Sequence, residues 1–285
     1  MKKLSFFTGT PKENRINIIF SLISVIVAVV FLFPIYWLAI TSLKSDTEIF
    51  AKALTYVPVN ITFEPWIEQF KDQAFLSSLR NSLVIALLAM TISLTLGIPA
   101  AYAMGKYKLP GTNVILLVFL VTQMMPASLL LTPLYLNFSR LSLLNTYFAP
   151  AMAVASGSIP FIVVTLRPYF KSIPKALDDA ARIDGCNAFT SFLIIMIPTI
   201  KTGIITTLAI SFLHGWNDLI YSMTFNVKAD MRPLTANIYK FMDMYGTKWN
   251  YIMAYGMILV TPVILAFVFL QRYIVGGLTA GAVKE

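Results

Sequence analysis

Residues 18–40 are 23 consecutive residues without a charge, and no other feature narrows the possible folds as far. A helix needs about 20 apolar residues to cross a bilayer core of about 30 Å. The run is too long for the apolar centre of a cleavable leader, and no A-x-A-like site follows it. Similar stretches recur at 81–105, 114–138, 147–166, 202–225 and 251–270. The fifth is interrupted by Asp218, which is expected near the outer end. Six crossings put both termini on one side.

Composition agrees. Of 285 residues, 58% are hydrophobic and 12% charged, against about 25% charged in soluble domains. The mean hydropathy is +0.75. One cysteine, Cys186, closes no intrachain disulfide and supports no thiolate metal cluster. The fold class expected is an all-α integral membrane domain spanning 1–285, with no separate soluble domain.

The net charge of +9 raises nucleic acid as a partner until the charges are placed by side. With the termini inside, 13 of the 22 basic residues but only 5 of the 13 acidic ones face the cytoplasm. That is a net +8 inside and +1 outside, as the positive-inside rule requires. Nucleic acid is not needed, and both termini are predicted cytoplasmic.

Prolines stand in most spans: Pro34, Pro99, Pro126, Pro133, Pro150, Pro160 and Pro262. Within a membrane such breaks are tolerated where neighbouring helices or a water-filled cavity satisfy the freed carbonyls. Candidate pathway groups are Gln123, Tyr135, Ser156, Trp216, Asn217 and Tyr221, chosen for polarity or aromaticity. Helix packing is the competing reading for each. No Asp–Lys or Asp–His relay of the kind that energises proton-coupled carriers is visible, and no GxxxxGK[ST] phosphate loop either.

The inner loop 174–198 is the most informative stretch. Pro174 suits the first turn of a helix and Gly185 the residue after its end. Asp178 and Asp179 fall where the macrodipole favours negative charge. Leu177, Ala180, Ala181 and Asp184 recur at i, i+3, i+4 and i+7, giving one face of mostly small residues. So short a helix makes sense as a docking element ordered by a partner.

Asp179-Ala180-Ala181, then Gly185, then Ile195-x-Ile197-Pro198 resembles the EAA loop of bacterial ABC-importer permeases: Glu-Ala-Ala, three residues, Gly, nine residues, Ile-x-Leu-Pro. The departures are Asp for Glu and Ile for Leu. Asn81-Ser82, Pro133-Leu134-Tyr135, Leu144-Asn145-Thr146, Trp216-Asn217 and the tail Gln271–Lys284 extend the resemblance to the second, shorter permease of maltose-type carbohydrate importers. It implies a type I importer permease fold in the bacterial inner membrane, multi-pass. It also implies a heterodimer with a second permease, two ATPase subunits and an extracytoplasmic sugar-binding protein. ATP and Mg would be used by the ATPases, with no cofactor and no metal held by this chain and no catalytic residue. Pro174, Asp179, Ala180, Ala181, Asp184, Gly185 and Pro198 would form the coupling site. Gly277, Leu278, Thr279, Gly281 and Lys284 would form a second coupling element in the cytoplasmic tail 271–285.

Three alternatives stand beside an importer of sugars or oligosaccharides. One is a permease for a non-sugar or sugar-phosphate-like solute such as glycerol phosphate. Another is a channel or carrier independent of ATP. The last is a Mg-dependent enzyme on a lipid phosphate, disfavoured because Asp178, Asp179 and Asp184 splay by roughly 120–140° around a helix.

Overall fold

The structure is a computed structural model. It describes the backbone of residues 11–243 and 246–282, and the side chains of 16–238, 240–241 and 247–271. The helices in chain order are α1 (Pro11–Thr41), α2 (Asp46–Ile49), α3 (Glu64–Lys71), α4 (Gln73–Lys106), α5 (Thr112–Gln123), α6 (Ala127–Arg140) and α7 (Phe148–Ser172). There follow α8 (Lys175–Ile183), α9 (Ala188–Ser191), a π turn (Phe192–Met196), α10 (Ile197–Thr199), α11 (Lys201–Trp216), α12 (Ile220–Phe225), α13 (Leu234–Asn237) and α14 (Trp249–Ala282). One antiparallel pair, β1 (Met242–Asp243) with β2 (Gly246–Thr247), is the exception to an all-α architecture among the described residues.

Among the described residues, four helices are long and apolar enough to cross a membrane unbroken: α1, α4, α7 and α14. The number rises to as many as six if each of two bent pairs is one crossing. The stretch 114–138, expected as one kinked span, is instead α5 and α6 meeting at 100°. Met124-Met125-Pro126 is the cause. Proline disfavours the helical region for the residue before it, and Pro126 itself takes an extended ψ of 137°.

The stretch 202–225 is also revised. α11 ends at Trp216, and α12 starts afresh at Ile220. Asp218 makes the break: its carboxylate accepts the N–H groups of Tyr221 (3.2 Å) and Ser222 (2.8 Å) and the Ser222 hydroxyl (2.6 Å). It caps a new helix rather than riding at the end of an old one. At the other end, 188–199 joins α11 at 84°. The backbone of α14 stays helical from the sixth span into the tail, as far as Ala282.

The chain divides into two compact units. The larger, residues 72–239 and 259–285, is built on α4, α7 and α11. Asn81, Ile85, Ala89, Ser93, Gly97 and Ala101 repeat every four residues on α4, and all are buried. Small residues let membrane helices approach closely. On α11, a Cβ added to Gly215 would lie 2.6 Å from the Ala86 Cα of α4. Two asparagines fasten the connecting loops. Asn81 donates to the carbonyls of Asp230 (2.7 Å) and Arg232 (3.1 Å) and accepts from the Tyr147 hydroxyl (2.9 Å). Asn145, at φ 57°, accepts from the N–H groups of Val227 and Lys228.

The smaller unit, 1–71 and 240–258, contains α1, apolar all round, whose most apolar window has no buried residue. A helix of that kind is stable only in lipid or against a partner. Behind it the loop 42–62 wraps Glu48, which accepts from Thr55 Oγ1 (2.7 Å) and from the N–H groups of Val59 (3.0 Å) and Asn60 (3.4 Å). The Gln69 amide donates to the Tyr251 carbonyl at 2.9 Å, tying α3 to the start of α14.

Candidate functional site

The loop between α7 and α11 is built in three steps. α7 ends as Ile173 turns into the core. Pro174 then stands at the N-cap of α8, with ψ 143°. Lacking an N–H, proline wastes no bond at a helix start, so α8 begins one residue later than the proline itself. At the far end Gly185 sits at φ 80°. The Cys186 N–H reaches the Ala181 carbonyl (2.9 Å) and the Gly185 N–H the Arg182 carbonyl (3.1 Å). These two bonds are a complete Schellman ending. It needs a residue comfortable in the left-handed region, and glycine is the one.

Beyond it, Asn187 caps α9 by accepting the Thr190 N–H at 2.8 Å. The π turn that follows precedes Pro198. A helical proline clashes with the carbonyl four residues back, here that of Ile194, and the wider turn relieves it. Phe192, Met196 and Ile200 plug into a core with Ala101, Met104, Ile162, Leu166 and Phe170. Tyr102 packs on Phe170 (5.4 Å) and Phe192 (4.9 Å). The loop is therefore anchored to both α4 and α7.

α8 is two-sided. Ala181 is 1% exposed, and Asp178 reaches Lys106 Nζ, the last residue of α4, at 2.6 Å. Lys106 also donates to the Ile173 carbonyl at 3.1 Å. The single face expected for Leu177, Ala180, Ala181 and Asp184 is thus split: Ala181 turns inward, while Leu177, Ala180 and Asp184 are exposed. Asp179, Gly185 and Pro198 are exposed too. The outward surface is extended by Ile183 (86% exposed) and Phe189 (70%), neither singled out from sequence. Two large apolar side chains, one closing a polar helix and one just beyond it, were the available signal. The Lys106–Asp178 pair, 72 residues apart, left none.

The pathway candidates sit in different surroundings. Trp216 is buried, with its indole N–H on the Leu259 carbonyl at 3.0 Å, so packing and one hydrogen bond account for it. Tyr221 stacks on Phe225 at 5.9 Å. Gln123 ends α5 at the break, Asn217 follows the last residue of α11, and both are exposed, as are Tyr135 and Ser156. The Ser156 hydroxyl donates to Ala153 of its own helix. Of the tail candidates, Gly277, Leu278, Thr279 and Gly281 lie on the helical backbone of α14 with side chains outside the described residues, and Lys284 lies outside them altogether. Among the described residues no three His, Cys, Asp or Glu side chains are grouped to hold a metal ion.

Comparison with known proteins places this geometry. The profile of the family described as "Binding-protein-dependent transport system inner membrane component" matches residues 93–279. The chain is 30% identical to the sulfoquinovosyl glycerol transport system permease protein of Agrobacterium fabrum, over 98% of this chain and 96% of that one. It is 28% identical to the diacetylchitobiose uptake system permease protein of Streptomyces coelicolor, over 92% and 95%. In fold it matches a chain of the crystal structure of a bacterial ABC transporter involved in the import of the acidic polysaccharide alginate. That match has a TM-score of 0.79 at 22% identity and covers 93% of this chain and 98% of that one.

Proposed function

Since the chain belongs to the family of binding-protein-dependent transport system inner membrane components, and is therefore a non-catalytic membrane subunit of an ABC importer, we propose that it forms one half of a heterodimeric pathway for sugars or oligosaccharides. Hydrolysis of ATP with Mg belongs to separate ATPase subunits, and an extracytoplasmic binding protein delivers the solute. The termini are assigned to the cytoplasm of a bacterial inner membrane by the +8 that this orientation places inside. Sugar as the cargo rests on relatives named for diacetylchitobiose, arabinooligosaccharides and trehalose.

The observation that carries the coupling role is the two-sidedness of α8. Of its inward residues, Asp178 ties it to Lys106 at the end of α4 and Ala181 is buried. Its outward residues, Asp179, Ala180, Asp184 and Gly185 with Leu177 and Ile183, are free to be gripped. A helix held on one side and gripped on the other transmits a push as a lever. Closure of an ATPase pair would then bias the two-state rocking of the helices between inward-open and outward-open. The tail residues Gly277, Leu278, Thr279, Gly281 and Lys284 are proposed as a second contact, and Gln123, Tyr135, Ser156, Asn217 and Tyr221 as groups beside the path.

Ala180→Trp tests this. It adds bulk on the outward face without entering the core, so membrane insertion and thermal stability should match the parent. ATPase co-purification and uptake should be lost. Normal uptake with intact stimulation of ATP hydrolysis would refute the docking role.

A further inference from the structure

Behind α8 lies a cleft of about 540 Å³, to which Asp179 is the one coupling residue contributed. Six cations line it: Lys106, Lys108, Arg167, Lys171, Lys175 and Arg182. Against them stand two carboxylates, Asp178 and Asp179, leaving a formal surplus of four positive charges. Lys106 is spent on Asp178, and Arg167 Nε donates to the Met104 carbonyl at 3.2 Å. Lys108, Lys171, Lys175 and Arg182 have no ion pair among the described residues. The positive-inside rule explains why such residues are numerous on this side. It does not explain why cations from the end of α4, the turn after it, the end of α7 and the start and end of α8 converge on one concavity.

The cleft sits where the apolar lengths of α4 and α7 run out, at Lys106 and Arg167; in helices that cross a bilayer, charges flanking the apolar run lie in the headgroup layer. Its wall is mixed. Tyr107 and Leu109 are exposed beside the cations, and Tyr102 and Ile173 form the floor. A free anion needs charge alone, whereas a phospholipid needs charge with apolar surface beside it, and basic pockets between membrane helices recognise such headgroups.

We propose that this cleft seats the phosphate headgroup of an anionic phospholipid, so that lipid braces the root of α8.

The test titrates the purified chain, with whatever subunits accompany it, in detergent against dioctanoyl phosphatidylglycerol, dioctanoyl phosphatidylcholine, glycerol 3-phosphate and inorganic phosphate. Binding is read by native mass spectrometry. Phosphatidylglycerol should bind at least roughly tenfold more tightly than phosphatidylcholine, and Lys108→Gln with Lys171→Gln should weaken it by roughly tenfold or more. Neither residue lies on α8, and both are exposed, so folding should survive. Lys108→Arg with Lys171→Arg should bind like the parent. Lys52→Gln with Arg140→Gln, an equal loss of charge elsewhere, should also leave binding unchanged. Three outcomes would overturn the proposal: equal binding of the two lipids, an equal fall in the distant-charge variant, or binding of free phosphate that displaces phosphatidylglycerol.

Discussion

Gly185 shows what one residue contributes. Nothing lies within 4 Å of where its Cβ would be, so any penalty for a side chain comes from the backbone alone. Holding a non-glycine residue at φ 80° costs about 1–2 kcal/mol. Gly185→Ala should fray the last turn of α8 and lower uptake, with the protein still inserted. Gly185→Asn, better suited to that region, should retain more, and uptake assays on both variants check the order. Lys106 is the second case. Lys106→Met removes the partner of a carboxylate that is only 26% exposed, at a cost of about 1.5–3 kcal/mol. Amide exchange over residues 175–185 should quicken, and the double change with Asp178→Leu should recover part of the loss. Both ends of α8 could be read from Pro174 and Gly185, because caps act locally. Lys106–Asp178 could not, because nothing in either neighbourhood names a partner in another helix.

Among the elements, two breaks were misjudged for the same reason. A run of uncharged residues states how much apolar length is present, not whether the backbone within it is continuous. Pro126 and Asp218 both interrupt it, the first by steric exclusion and the second by capping. Trp216 follows its competing reading, helix packing. An indole beside an amide suits a sugar, but its N–H was already committed to the Leu259 carbonyl. Asn81→Leu would remove three hydrogen bonds and strand the carbonyls of Asp230 and Arg232, costing about 2–4 kcal/mol. It should lower thermal stability and loosen 228–234, as limited proteolysis would report. Glu48 governs the loop 42–62. The Thr55 hydroxyl first, then the Val59 and Asn60 N–H groups and Lys44, hold its carboxyl below the ordinary 4.5, against a partial upward pull from desolvation. Unfolded, the loop takes up the proton more readily. The stabilisation is therefore full above 4.5 and lost as pH falls through the lower folded value. Amide exchange at Val59 and Asn60, corrected for intrinsic rates, should accelerate only in that acidic window. Glu48→Gln should remove the pH dependence.

For the whole molecule, orientation is open to direct test, and the chain supplies its own probe. Cys186 is the one cysteine, partly exposed beside α8. A membrane-impermeant maleimide should label it in inverted vesicles and leave it unlabelled in intact cells. Labelling from outside would reverse the assignment of both termini. The class of the fold was legible because membrane burial constrains composition along the entire chain. The arrangement of α4, α7 and α11 was not, because small residues at four-residue spacing fit many partners equally well. The split surface of α8 has an evolutionary corollary. Asp178 and Ala181, which attach the helix, and Leu177, Ala180, Ile183 and Asp184, which face outward, are disjoint sets. The sequence presented to a partner can therefore drift or be grafted from a relative without loosening the mounting, and one scaffold could be refitted to a different motor.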